Sequence, residues 1–344
     1  MKKSRFLMAL LAILVTACGP SVSPDSPDNP DNPDNKISID GLTLDNFPFM
    51  DCSTSTSPLR NMIMFTLLDI PFGWGVNIAS GSQYEITWHL PKGMKIGSPE
   101  HVALANKLNM ELLKNNGSHE AYVNLIDGKT SVIIDSRDIS RNELEYSEEK
   151  GVNVETRPIA LDAMAFIIHP SNKVNSLTIE QIQKIYTGEI TNWKEVGGED
   201  LEIHPYMRDE DSGSQEKMET LIMKGLKMLD WPEMHLYTMI SPYNTVEGDP
   251  KGIAYSPYYF CSRMVGDLRN VKVLGINGVY PEKESILAGN AGKATGAYPF
   301  SSYIYAAIRA DEPETSFSHQ IYDLLCNDTK AKNIIDESGY IAIR

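Results

Sequence analysis

The chain has 344 residues, with 31 Lys and Arg against 46 Asp and Glu, and a formal charge of -15. A field of that sign repels a polyphosphate backbone and argues against nucleic acid as a partner. With 42% apolar and 22% charged residues, 24 Gly and 20 Pro, the composition is globular and excludes collagen-like, coiled-coil and wholly disordered classes; at roughly 150 residues per domain the length predicts about two domains.

Lys2, Lys3 and Arg5 precede the apolar run Phe6 to Val15, which ends in Val15-Thr16-Ala17-Cys18. A cationic start, a short apolar stretch and small residues before the break read as a secretory signal over residues 1–17, too short to span a bilayer. A Cys directly after Thr-Ala resembles a bacterial lipobox. That implies cleavage before Cys18, lipidation of its sulfur, and an exported protein anchored to a bacterial membrane, in the periplasm or at the cell surface; the alternative is plain secretion with a chance Cys. Loss of residues 1–17 removes three cations, leaving 28 against 46 and a charge of -18. Residues 18–35 carry Pro24, Pro27, Pro30 and Pro33 among Asp and Asn, with only Val22 available to pack, and read as a solvated tether.

From Ile37 onward, short β-branched or aromatic runs alternate with helical patterns, which predicts α/β layering. The expected helices begin at Ser57-Pro58, span Pro99 to Lys114, His119 to Ile126, Asn142 to Lys150, Thr178 to Ile185 and Ser214 to Met228. The expected strands are Ser131 to Asp135 and, as the most strand-like run, Ala163 to Ile168. Pro71 to Lys95, with Trp74, Trp88 and four Gly, reads as a hairpin or an excursion. After Cys18, three cysteines remain, Cys52, Cys261 and Cys326, none in a CxxC spacing, so at most one disulfide and no metal site are expected.

Two polar loops open onto helices. Asp51-Cys52-Ser53-Thr54-Ser55-Thr56 runs into Ser57-Pro58, and Arg208-Asp209-Glu210-Asp211-Ser212-Gly213-Ser214 runs into Gln215. Unpaired N–H groups at a helix start favour an anion, hydroxyls add donors, and Arg supplies a fork for a tetrahedral oxyanion. Either loop alone is as well explained as a helix cap; two in one chain favour the anion. Asn116-Gly117-Ser118 before a helix and Asp135-Ser136-Arg137-Asp138 after a strand are weaker signals of the same kind.

These residues resemble the phosphate-binding branch of the type II periplasmic binding proteins, the ligand-capturing subunits of ABC importers. The stretch Pro158 to Asn172 carries the likeness. It continues through Leu177-Thr178, Ile185 to Lys194 and Arg208 to Ser214, and more weakly through Gly252 to Tyr255 and Tyr298 to Ser301. The resemblance implies two α/β lobes joined by two crossing strands with a ligand cleft between them: lobe I from 36–157 plus 296–344, and lobe II from 158–295. It implies a phosphate site made by Ser53, Thr54 and Ser55, by Ser118, by Ser136 and Arg137, and by Arg208, Ser212, Gly213 and Ser214. Phosphate or a similar oxyanion is then the ligand, an ABC permease the membrane partner, and a monomer without cofactor the working form. Some relatives place an Asp where this chain has Arg137, and many a Gly where it has Cys52, which would crowd the loop or bring a thiol near the ligand.

Rival readings are an enzyme and a sensor or protein-interaction lipoprotein on the same fold. The seven His show no HExxH pattern, no GxSxG elbow occurs, and His119 beside Ser118 reads as a structural or ligand-side donor, so no catalytic residue is assigned. A sensor would use the Pro71 to Lys95 excursion as its contact surface.

Overall fold

The computed structural model describes residues 37–78 and 81–343. The signal, Cys18 and the tether lie outside the described residues. In chain order the first half comprises β1 (Met50–Cys52), α1 (Ser57–Leu67), β2 (Phe72–Asn77), β3 (Gln83–Trp88), α2 (Pro99–Lys107), α3 (Ser118–Ile126), β4 (Val132–Asp135), α4 (Arg141–Lys150) and β5 (Val154–Ile168). There follow β6 (Ser176–Leu177), α5 (Ile179–Tyr186), β7 (His204–Pro205), β8 (Met207–Arg208), α6 (Gly213–Lys217), β9 (His235–Leu236), α7 (Ser241–Gly248) and β10 (Gly252–Pro257). The chain closes with β11 (Lys272–Val273), β12 (Gly275–Ile276), α8 (Lys283–Asn290), β13 (Ser301–Arg309), α9 (Phe317–Asn327), α10 (Thr329–Ser338) and β14 (Ile341–Ala342).

Local chemistry sets the helix starts. Ser98 accepts from the His101 N–H ahead of Pro99, and Thr178 and Gln181 form a reciprocal capping box at α5. The expected helix to Lys114 is regular only to Lys107 and continues as a π-helical turn, Leu108–Leu112. The helix expected to reach Met228 continues past α6 as a π-helical segment and stops at Met223, because Lys224 and Gly225 adopt left-handed φ of 50° and 89°.

β5 is much longer than the run Ala163 to Ile168. Its first half, starting at Val154, includes Pro158, a residue that argues against a strand. The structure accommodates it at a register shift: Ile304 pairs Ala160 and Tyr305 pairs Pro158, so Ile159 is the extra residue of a bulge.

β5 also organises the two lobes. The sheet runs β1-β4-β13-β5-β10-β7. Residues 154–163 of β5 pair antiparallel with β13, and residues 164–168 pair antiparallel with β10, so one strand passes from one half of the sheet to the other. A second crossing precedes β13, where Met164 N–H donates to Phe300 O at 2.9 Å and Tyr298 OH to Met164 O at 2.7 Å. Two core clusters form, the first reaching from residues 36–157 and 296–344 across to α7 and residues 259–265. One gathers Met50, Leu59, Ile63, Phe65, Val132, Ile134, Ile304, Ile321 and Ile335, together with Tyr243, Phe260 and Val265; the other gathers Phe166, Ile168, Ile182, Tyr186, Trp193, Met218, Ile253 and Phe300. Each such buried side chain contributes about 1.5–3 kcal/mol.

The excursion is an antiparallel hairpin, β2 with β3, in register from Phe72 opposite Trp88 to Asn77 opposite Gln83. Ile86 enters the first core, Tyr84 OH donates to Asp267 at 3.0 Å, and Arg269 Nη2 donates to Gly81 O at 2.6 Å. The hairpin therefore packs onto the segment around α7 and residues 260–269. Among the described residues no helix is long and apolar enough to cross a membrane.

Candidate functional site

β1 and β4 are parallel neighbours, so their C-terminal ends, Cys52 and Asp135, lie side by side. The edge formed by the C-terminal ends of parallel strands is where open α/β sheets take ligands. The first loop, Ser53-Thr54-Ser55, is pinned there. Thr56 Oγ1 lies 2.6 Å from Ile134 O and 2.9 Å from Ser53 Oγ, and Tyr340 OH donates to Ser55 O at 2.9 Å. Asp51 fixes the second loop: its carboxylate accepts from Cys52 N–H at 2.9 Å, Asn116 N–H at 3.1 Å, Asn116 Nδ2 at 2.6 Å and Asn124 Nδ2 at 3.2 Å. Gly117, at φ 83°, turns the chain straight into α3, a conformation that favours Gly and leaves the first-turn N–H groups of α3 facing outward.

Arg208 ends β8 on the opposite side. Its N–H donates to Tyr255 OH at 3.0 Å, Nε to Leu236 O at 2.8 Å and Nη1 to Met239 Sδ at 3.2 Å. Tyr255 OH is hydrogen bonded in turn to Gln215 Oε1. The side chain is 5% exposed, and its nearest carboxylate, Asp209, is 3.9 Å from Nη2, outside hydrogen-bond reach. Burial lowers the guanidinium pKa, with the Asp209 charge pulling the other way. Ser212 opens α6 and accepts from Ser214 N–H at 3.3 Å. Gly213 sits so close to the opposite loops that an added Cβ would lie 2.7 Å from Ser118 Oγ and 3.3 Å from Ser136 Oγ.

Between these loops lies a cavity of about 350 Å³ lined by Ser53, Thr54, Ser55, Ser118, Ser136, Arg208, Ser212, Gly213 and Ser214, with Asn115, Asn116, Gly117, Asp209, Asp211, Tyr237 and Met239. Nine of the ten residues expected at the site are thus brought together. Arg137 is not among the lining residues. Its guanidinium forks onto Glu143 at 2.8 and 2.6 Å, donates to Asp138 O at 2.8 Å, stacks 5.3 Å over the Tyr122 ring and places Nε 2.6 Å from Glu216. Burial opposes its charge, yet the Glu143 hydrogen bonds and the surrounding carboxylates keep its pKa raised, while Glu143, also desolvated, is held low by Arg137. His119 is likewise turned to Glu143, at 3.0 Å.

Two neighbours lie just behind the wall. Asp135 is fully buried, accepts from Arg137 N–H at 3.3 Å, has no partner at Oδ2, and is pushed up to about 6 by burial, with Arg137 and Ser118 pulling the other way. Cys52 is not at the cavity surface: it is a free, fully buried β1 residue whose thiol burial pushes up to about 12. Cys261 and Cys326 are free as well. The sequence reading missed Asn115, Tyr237 and Met239; the last two reach the cavity through a chain reversal after residue 223 that leaves no periodic signal.

A family model described as a PBP superfamily domain matches residues 102–316. The phosphate-binding protein PstS of Borreliella burgdorferi is 27% identical over 234 residues, spanning 66% of this chain and 78% of that protein. The phosphate-binding protein PstS of Bacillus subtilis is 24% identical over 208 residues, spanning 60% of this chain and 64% of that protein. A Clostridium perfringens structure, described as a phosphate ABC transporter substrate-binding protein with bound phosphate, superposes with a TM-score of 0.59. It is 21% identical, over 90% of this chain and all of the other.

Proposed function

The chain belongs to the PBP superfamily, and from that premise we propose that it captures inorganic phosphate, or a related tetrahedral oxyanion, and hands it to an ABC permease. One observation carries the reading: a buried Arg208, with Asp209 at 3.9 Å and no carboxylate within hydrogen-bond distance, faces a cavity walled largely by hydroxyls and N–H groups. Such a donor set suits a desolvated anion, whose burial is costly unless every oxygen is hydrogen bonded. The relatives named for phosphate support that choice of ligand.

The moving units are 36–157 with 296–344, and 158–295, about the two crossings at β5 and Tyr298–Ser301. Ser53, Thr54, Ser55, Ser118 and Ser136 hold the anion from the first lobe. Arg208 and Ser212, Gly213 and Ser214 close over it from the second, a population shift driven by contacts to both lobes. Arg137 acts one layer behind, its charge shared between Glu143 and Glu216. The protein binds rather than catalyses, and Cys18 carries the lipid that keeps it at the membrane, as a monomer.

Isothermal titration with phosphate, after exhaustive removal of carried-over anion and with sulfate and molybdate as competitors, tests the reading. Micromolar or tighter phosphate binding is expected. No heat with any oxyanion would refute it and favour a sensor or protein-interaction role.

A further inference from the structure

We propose that Glu216 and Lys217, consecutive residues of α6, are positioning residues that register the second lobe on the first when the cleft closes. The inference rests on the phosphate reading above.

α6 begins with the donors Gly213 and Ser214 and then meets the first lobe with a pair of opposite charges. Glu216 Oε2 lies 2.6 Å from Arg137 Nε. Lys217 points elsewhere. It is 6% exposed, and its ammonium donates to Ser302 Oγ at 3.1 Å. Ser302 stands directly opposite Asp162 in the β13–β5 register, and cross-strand partners share a face. The ammonium is thereby set beside Asp162, whose Oδ2 is buried without a hydrogen-bond partner; the same is true of Asp135 Oδ2.

The charges facing Lys217 are Asp162 from β5, Asp135 from β4, Arg137 from the following loop and Glu216 from α6 itself. Asp135 faces Arg137 and Glu143, and Asp162 is otherwise held by the N–H groups of Ala163 and Tyr259. A negative residue on α6 therefore meets a cation and the next, positive residue meets two under-satisfied carboxylates. Burial raises the pKa of both Asp135 and Asp162, and the Lys217 charge lowers that of Asp162. Opening the cleft would break the Glu216–Arg137 match and part Lys217 from Ser302 and Asp135 of the first lobe, leaving only Asp162 of its own lobe, so the docked position of Gly213 and Ser214 is fixed by charge as well as by ligand.

The test titrates phosphate into wild type, Lys217→Met and Glu216→Lys at pH 5.5 and 8, with small-angle scattering of each with and without phosphate. For Lys217→Met, at least about a tenfold affinity loss is expected at pH 8, because closure then buries carboxylates without their ammonium. The deficit relative to wild type shrinks at pH 5.5, where Asp135 holds its proton, a pH profile that a merely structural defect would not produce. Glu216→Lys, at a partly exposed position, loses at least tenfold at both pH values and stays expanded in phosphate, with a cooperative melt as the check that it folds. Both variants binding within twofold of wild type at both pH values would overturn the proposal. If wild type itself gives no heat, the phosphate reading falls. Scattering of the free proteins then decides the register: Glu216→Lys more expanded than wild type supports it, and equal radii overturn it.

Discussion

Replacing Arg208 by Ala removes the one cation that the described residues place at the cavity wall and should weaken phosphate binding more than any serine substitution. Nε and one Nη1 hydrogen are committed to Leu236 O and Met239 Sδ, which leaves the Nη2 edge for the ligand. One or two charge-assisted hydrogen bonds of about 1.5–3 kcal/mol each are lost, so affinity should fall at least tenfold and, with two bonds, about a hundredfold or more. The Leu236 carbonyl also loses its donor, at a cost of about 1–3 kcal/mol where it is buried, so a thermal melt must accompany the titration. Affinity within a factor of two of wild type, in a protein that still melts cooperatively, would show that Arg208 does not face the anion.

Gly213→Ala should reduce phosphate affinity about tenfold with little change in the free protein's melting temperature, since the new Cβ meets Ser118 Oγ at 2.7 Å only when the lobes are docked; titration and calorimetry together check this. Arg60→Ala should lower unfolding free energy by about 3 kcal/mol or more in urea denaturation, because the fully buried guanidinium donates to the carbonyls of Met50, Leu113 and Lys114 and each orphaned acceptor is costly. Cys52, held near 12, and Cys261, pushed up to about 11, should resist a thiol reagent at pH 8 in the folded protein and react on denaturation. Rapid labelling of either in the native state would contradict their burial in the two-lobed fold.

The sequence made the donor loops visible because their chemistry is local. Ser53-Thr54-Ser55 and Ser212-Gly213-Ser214 sit where chain pattern changes from strand or loop to helix, and that transition can be read from a single window. The length of β5 was not legible: Val154 to Arg157 is polar and Pro158 discourages a strand, and only pairing with β13, with its bulge at Ile159, holds the segment extended. Arg137 shows the same limit at the site. Its neighbours in sequence, Asp135 and Asp138, say nothing of Glu143, which also accepts from the Ser140 N–H at 2.8 Å to cap α4, or of Glu216, which reaches it from α6. Residue type identified a cation near the cleft, but tertiary packing decided that its fork is filled by protein carboxylates. Likewise Cys52 lies next to the first loop in sequence, yet as part of β1 it is directed into the core.

The central claim is that a tetrahedral anion is held between the lobes by Arg208 and the hydroxyl loops. A crystal structure of the protein grown with arsenate, a heavy tetrahedral analogue of phosphate located by its anomalous scattering, tests this most directly. The account predicts one strong peak within hydrogen-bond distance of Arg208 Nη2 and of hydroxyls from both the Ser53–Ser55 and Ser212–Ser214 loops. A cleft without that peak, or an anion bound elsewhere with Arg208 untouched, would contradict it.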